Sequence, residues 1–255
     1  MILQKVINNV NIKSEYKEFV MAFKTCIINE FGEKIHSIYM CGSIPKGIAK
    51  PYESDADFTI LCDNPRDINS EKLSRLKEQL LADFPLVTKI DTTICSLDNV
   101  RNNPNDWGFW VKIICVCIYG LDIGEEVPPI VISRDFILDL NSDTKQAVDR
   151  VNDALSNAID NKMKCRYIKG YSKRLIRALY SLVLEEVGVW QDNIAEMKNS
   201  IIRYSDIDPA LVEYLYECYL NSDLPINEFK VKATDAYTYF EHRLSTMQAH
   251  RTSFS

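Results

Sequence analysis

The stretch Tyr39–Leu61, YMCGSIPKGIAKPYESDADFTIL, joins two apolar runs through a short loop and places two carboxylates at the start of the second run. Gly42 and Ser43 end the first run, and Asp55 and Asp57 begin the second. Residues two apart project from the same face of a strand, whereas in a helix they diverge by about 200°. If the second run is a strand, both carboxylates therefore converge on one point.

Converging carboxylates predict a metal site. Two buried like charges repel unless a cation lies between them, because each loses hydration without gaining a partner. Magnesium prefers oxygen ligands and commonly binds through one or two carboxylates together with substrate phosphates. Asp55 and Asp57 are therefore predicted Mg²⁺ ligands. Asp91, in the next apolar run, is the third predicted ligand, with Asp98 as its nearest competitor. On a neighbouring strand, Asp91 would bind metal or deprotonate an acceptor hydroxyl.

The loop between the two runs has features of a phosphate-binding segment. Gly42 allows the backbone to turn and to approach a ligand closely, while the amide and hydroxyl of Ser43 can bond phosphate oxygens. Lys46 can neutralise phosphate charge. Ser54, just before the carboxylates, has two interpretations: it bonds the local backbone, or it contacts phosphate. We predict that a triphosphate binds to this loop and to the metal.

Hydrophobic periodicity divides the chain into two parts. Residues 1–125 show the order helix, strand, loop, strand, helix, strand, which predicts a small α/β domain. Glycines and a Pro-Pro pair predict a linker at about 120–135. Residues 136–255 show helical spacing and no strand signal, which predicts an all-α bundle of about five helices. The predicted fold class is thus an α/β domain followed by a helical domain.

Composition restricts the class of protein. The 255 residues carry a net charge of −6, which argues against a nucleic-acid partner and suits a cationic small molecule. No apolar run approaches the roughly 20 residues that span a bilayer. The N-terminal residues lack the pattern of a signal peptide, so we expect a cytoplasmic protein. The eight cysteines form no Cys-x-x-Cys pair and there are three histidines, which disfavours a zinc site.

A Gly-Ser pair, a loop of about ten residues and an Asp-x-Asp pair resemble the signature of the DNA polymerase β type nucleotidyltransferase superfamily. The sequence of residues 42–61, GSIPKGIAKPYESDADFTIL, is similar to that of the aminoglycoside adenylyltransferases that act on streptomycin and spectinomycin. The resemblance implies a nucleotidyltransferase domain before a helical domain, with Mg²⁺ and ATP bound. It further implies transfer of AMP from ATP to a hydroxyl of an aminoglycoside-type antibiotic, release of pyrophosphate, and antibiotic resistance.

A weaker likeness to the same enzymes lies at RLIRALYSLV, residues 174–183. It implies that Arg177 contacts the nucleotide phosphates. Lys173 belongs to the same basic stretch and is a further candidate for phosphate binding. Such stretches are also common on solvated helix faces.

Two other functions are compatible with these residues. One keeps the chemistry and changes the acceptor to a protein tyrosine or a tRNA 3′ end, as in toxin–antitoxin nucleotidyltransferases, and a basic RNA-sized groove would distinguish it. The other is a non-catalytic nucleotide-binding regulator. The carboxylate pair at Asp55 and Asp57 counts against a regulator, because binding alone does not need it.

Overall fold

The computed structural model describes residues 1–7, 9–221 and 225–249. The chain forms two compact units. One is Lys5–Ile130, and the other is Met1–Gln4 together with Val131–Ser255. In the second unit, the N-terminal segment is held by an isolated β-bridge between Ile2 and Val131.

The first unit is built on a four-stranded mixed sheet in the order β3-β2-β1-β4. The strands are β1 (Ile35–Cys41), β2 (Ala56–Cys62), β3 (Ile90–Ser96) and β4 (Val116–Gly120). β1 is antiparallel to both β2 and β4, and β2 is parallel to β3. The sequence predicted the first three strands. It did not predict β4, because a five-residue apolar run has no distinguishable period.

Four α-helices complete the first unit: α1 (Ser14–Phe31), α2 (Ser43–Lys46), α3 (Ser70–Asp83) and α4 (Leu97–Asn102). Helices α1 and α3 supply much of the core, which also takes alternate residues of β2 such as Phe58 and Ile60. The Phe23 ring stacks on the Phe58 ring with centroids 3.6 Å apart. Because strand side chains alternate, burying Phe58 in this core turns Asp57 and Thr59 to the other face of the sheet.

Irregular turns cover part of that other face. Two π-helical turns, Pro104–Gly108 and Trp110–Ile114, lie before β4, and the Trp110 Nε1–H donates to Thr59 Oγ1 at 2.9 Å. The Tyr39 hydroxyl donates to Asp122 Oδ1 at 2.9 Å. Burial and the neighbouring Asp122 raise the pKa of Tyr39 well above its usual value. Polar groups on this face are therefore hydrogen-bonded where they are buried.

The second unit is all-α in its described residues beyond the bridge. Its helices are α5 (Arg134–Leu140), α6 (Thr144–Ser156), α7 (Asn161–Ser181), α8 (Leu184–Val187), α9 (Ile194–Tyr204), α10 (Pro209–Leu220) and α11 (Ile226–Ala249). Helix α7 is central and packs against α6, α9, α10 and α11. Its buried Tyr171 meets Phe229 edge to face, with centroids 6.1 Å apart. The predicted fold class, an α/β domain followed by a helical one, is confirmed.

Helix boundaries in this unit follow local capping chemistry. Asp208 caps α10 by accepting from the Ala210 N–H at 2.9 Å, and Pro209 takes the first helical position, as an Asp-Pro pair predicts. The helical spacing of YSKRLIRALYSLVLEEV predicts a helix that starts at Tyr171, but α7 begins ten residues earlier because Asp160 caps it. Gly170 lies inside the helix. Among the described helices, none is both long and apolar enough to cross a lipid bilayer.

Candidate metal and nucleotide site

Three aspartates predicted from the sequence come together at one end of β2 and β3. Asp57 is opposite Asp91 in the parallel register of these strands, and Asp55 immediately precedes β2. One carboxylate oxygen of each lies within 4.8 Å of those of the other two. Asp55 is exposed, whereas Asp57 and Asp91 are half-buried. Asp98, the competing candidate, is exposed in the first turn of α4 and does not belong to this cluster.

The turn after β1 lies against Asp57. Cys41, the last residue of β1, is opposite Asp57 in the antiparallel register, so Gly42 follows directly beside the carboxylate. Gly42 has a φ of +82°, and a Cβ on it would lie 3.0 Å from Asp57 Oδ2. A side chain at this position would therefore be strained and would press on the carboxylate.

The segment after Gly42 is a single fixed turn. Ser43 begins α2, and Gly47 ends it with a φ of +73° and its N–H bonded to the Ile44 carbonyl at 3.1 Å. The Ile48 N–H also bonds the Ser43 carbonyl at 3.1 Å. Ser43 and Lys46 are half-buried. Ser43 thus follows the glycine that lies beside Asp57, and the role of Ser43 and Lys46 in phosphate binding stays a prediction.

Ser54 connects the loop to the approach of β3. Its hydroxyl oxygen accepts from the Lys50 N–H at 2.9 Å, and its N–H donates to the Lys50 carbonyl at 3.0 Å. Its carbonyl accepts from both the N–H and the hydroxyl of Thr88, each at 3.1 Å. These bonds match the interpretation of Ser54 as a residue that organises the local backbone. Its contact with phosphate stays a prediction.

Sequence reasoning missed a cation in this cluster. The Lys89 ammonium lies 2.6 Å from Asp91 Oδ2, and both side chains are about half exposed. Lys89 precedes Asp91 by two residues, so the alternation that placed Asp55 beside Asp57 would also have placed Lys89 beside Asp91. The cluster therefore contains three acids and one base.

The three carboxylates fit a divalent cation. All of the donors are hard oxygen atoms, which suit Mg²⁺ and do not favour zinc or copper. Gly42 leaves the space that Asp57 Oδ2 occupies, and the β2–β3 register places Asp91 opposite Asp57. Asp55, Asp57 and Asp91 would hold such an ion, because a cation between them would offset their mutual repulsion.

Lys173 and Arg177 lie one helical turn apart on α7, in the second unit, and both are half-buried. Arg174 between them pairs with Asp143, and burial lowers its pKa. The structure places Lys173 and Arg177 on one face of the helix. Their contact with nucleotide phosphates stays a prediction.

A small mixed sheet with a Gly-Ser turn after β1, followed in the chain by a helical unit, is an architecture shared with a solved adenyltransferase. The solved structure of spectinomycin adenyltransferase AAD(9) from Enterococcus faecialis, with ATP and spectinomycin, is similar to this chain. The TM-score is 0.51 at 16% identity, covering 89% of this chain and 98% of that one. The resemblance predicted from the sequence is thus confirmed for the fold.

Two more distant similarities are to toxin–antitoxin proteins. One is a toxin–antitoxin structure with AMP-PNP, at a TM-score of 0.31 and 14% identity, covering 58% of this chain and 100% of that one. The other is a tri-AMPylated Shewanella oneidensis HEPN toxin in complex with MNT antitoxin, at 0.27 and 14%, covering 56% and 99%. No protein-family model and no curated protein sequence matches the chain.

Proposed function

We propose that this protein is a Mg²⁺-dependent nucleotidyltransferase that moves AMP from ATP to a hydroxyl of a small molecule and releases pyrophosphate. The observation that carries the proposal is the meeting of Asp55, Asp57 and Asp91 within 4.8 Å, beside the Gly42 turn. The fold shared with an adenyltransferase supports it. A cluster of three carboxylates is suited to metal-assisted phosphoryl chemistry, and the single ammonium of Lys89 does not balance its charge.

The chain's own residues have distinct roles in this proposal. Asp55 and Asp57 hold the cation, and Gly42 and Ser43 present backbone to the triphosphate. Bound Mg²⁺ would supply charge stabilisation at the phosphates. The acceptor oxygen attacks the α-phosphorus, the bond to the β-phosphate oxygen breaks, and pyrophosphate leaves. Asp91 takes the proton of the acceptor hydroxyl. The Lys89 ammonium lies 2.6 Å from Asp91 Oδ2.

Further phosphate contacts are assigned to the loop and to α7. Lys46 and Ser54 of the first unit, and Lys173 and Arg177 of the second, are the proposed ligands of the nucleotide. The cations among them would offset triphosphate charge, since charge-assisted hydrogen bonds are the strong ones. This assignment rests on the sequence resemblance and on the position of each residue in its own unit.

The proposed acceptor is an aminoglycoside-type antibiotic. Two observations support this class: AAD(9) was solved with spectinomycin, and the net charge of −6 suits a cationic substrate. Modification of such a drug in the cytoplasm would make the protein a resistance determinant.

The test combines group transfer with a metal-binding measurement. Purified protein, Mg²⁺ and each α-labelled nucleoside triphosphate are incubated with aminoglycosides, and label transfer and pyrophosphate are followed. Asp57→Asn should abolish transfer and weaken Mn²⁺ binding measured by electron paramagnetic resonance. Asp98→Asn is the matched control, because it removes the same charge at an exposed position outside the cluster.

The outcomes separate the chemistry from the acceptor. Full transfer by Asp57→Asn would disprove the mechanism. Mn²⁺ and triphosphate binding without transfer to any drug would retain the metal site and reject the aminoglycoside acceptor, leaving a protein or tRNA acceptor to be tested with the same labelled nucleotides.

A further inference from the structure

Helix α7 carries a row of cations along one face. The row consists of Lys162, Arg166, Lys169, Lys173 and Arg177, at intervals of three and four residues. At 3.6 residues per turn they fall within an arc of about 80° and extend over about 22 Å. The helix contains no Asp or Glu between Asn161 and Ser181. The net charge of the chain therefore hides a strongly basic surface.

The first half of the row is open to solvent. Lys162, Arg166 and Lys169 are exposed, and none of the three forms an ion pair with a carboxylate among the described residues. Neighbouring like charges at these spacings repel and weaken a helix. Ion pairing within the described residues therefore does not account for these three exposed cations, which points to an anionic partner.

Aromatic rings lie beside these cations. The Lys169 ammonium is 5.5 Å from the ring centroid of Tyr219 on α10, and the Tyr216 ring is 6.2 Å from that of Tyr219. Both tyrosines are half-exposed. Next to them a surface depression of about 490 Å³ runs along the first turns of α7. It is lined by Asp160, Lys162, Met163, Cys165, Arg166 and Lys169.

Among the described residues that line this depression, Asp160 is the one acid. Its Oδ1 accepts from the Met163 N–H at 2.7 Å as the cap of α7. Three cations outweigh this single carboxylate, so the lining carries a net positive charge. A linear row of cations next to half-exposed aromatic rings is the combination that binds single-stranded nucleic acid, because the cations follow the phosphates and the bases stack on the rings.

We propose that the exposed face of α7, together with Tyr219 and Tyr216, binds single-stranded nucleic acid. An anionic membrane would attract the same cations through their charge alone, whereas the two half-exposed rings next to them favour bases that stack. An acidic peptide would have no use for the two rings. The proposal goes beyond AMP transfer and does not depend on it, since the surface belongs to the helical unit and the aspartates to the other.

The test is fluorescence anisotropy with labelled RNA and DNA single strands of about 12 nucleotides. If the three exposed cations each contact a phosphate, a plot of log affinity against log salt concentration should have a slope of about −2. Raising the salt concentration from 50 to 200 mM should then weaken binding about 20-fold. The triple change Lys162→Gln, Arg166→Gln and Lys169→Gln should remove most of this slope. It should not impair folding, because the replaced charges are exposed and repel one another.

The matched control replaces three exposed cations elsewhere, Lys17→Gln, Arg75→Gln and Arg203→Gln, with the same change in net charge. It should keep the affinity and the slope of the wild type. Tyr219→Ala should lower the affinity about tenfold without changing the slope, since stacking involves no counterion.

Comparing the affinities for the RNA and the DNA single strand shows which nucleic acid is preferred, and either preference supports the proposal. Absence of binding to both strands at low salt would overturn it. So would an equal loss in the control and the triple variant, or binding of anionic vesicles or polyglutamate through these residues in place of nucleic acid.

Discussion

Replacing Gly42 with alanine tests whether the turn after β1 positions Asp57. Gly42 has φ +82° and ψ −153°, a region that is essentially restricted to glycine, and forcing another residue into it costs about 1–3 kcal/mol. The added Cβ would also lie 3.0 Å from Asp57 Oδ2. That distance is too short for an unstrained contact, so the carboxylate or the turn has to move.

Gly32→Ala is the matched control for backbone strain. Gly32 has φ +54° and ψ −127°, which is also unfavourable for L-residues, but a Cβ there would have no atom within 4 Å. Both variants should therefore lose about 1–3 kcal/mol of unfolding free energy in urea denaturation. Only Gly42→Ala should disturb the aspartate cluster.

The decisive comparison is between metal binding and stability. A displacement of a reacting group by about 1 Å can cost about 10²-fold in rate, so Gly42→Ala should lose AMP transfer and Mn²⁺ affinity well beyond Gly32→Ala. Equal Mn²⁺ affinity and equal transfer rates in the two variants would refute the role of Gly42 in positioning Asp57.

Three further changes test neighbouring contacts. Lys89→Ala should tighten Mn²⁺ binding, because it removes a cation 2.6 Å from Asp91; weaker binding in a titration would contradict this. Trp110→Phe should lower the unfolding free energy by about 1–3 kcal/mol in urea, because it leaves buried Thr59 without the indole N–H; an unchanged midpoint would argue against that bond. Burial raises the pKa of Tyr39 in the folded state above the usual value of 10.0, so the contribution of the neutral phenol to folding is complete below about pH 10 and is lost as the pH rises above it. Tyr39→Phe should therefore reduce the loss of unfolding free energy between about pH 10 and 11 by about 1 kcal/mol in denaturation experiments, and an identical loss in both proteins would disprove it.

The local sequence pattern was sufficient to predict how two of the three clustered aspartates are placed. Strand alternation alone places Asp55 and Asp57 on one face, and the Gly-Ser pair marks the turn that meets them. The position of Asp91 depends on the parallel register of β2 and β3, which no local pattern specifies. Asp57 and Asp91 are 34 residues apart in the sequence, and the pairing of β2 with β3 brings them together.

Errors of sequence reasoning arose where local signals were weak or misleading. β4 is too short to show a period, and its position next to β1 is set by pairing across the sheet. The start of α7 was missed because its first turns are polar and exposed, with a glycine at position 170. Lys162, Arg166 and Lys169 of the basic row were not predicted as a cluster, because they lie in these first turns and a whole-chain charge averages over a single helix.

The isolated bridge between Ile2 and Val131 has a consequence for dissecting the protein. The chain passes from the helical unit to the sheet unit after Gln4 and returns after Ile130. The Ile132 N–H bonds the Met1 carbonyl at 2.9 Å, so the helical unit uses the first residues as a structural part. A fragment that starts at Val131 would lack them. Separate expression of the helical unit therefore calls for a circular permutation or a short linker that joins Gln4 to Val131.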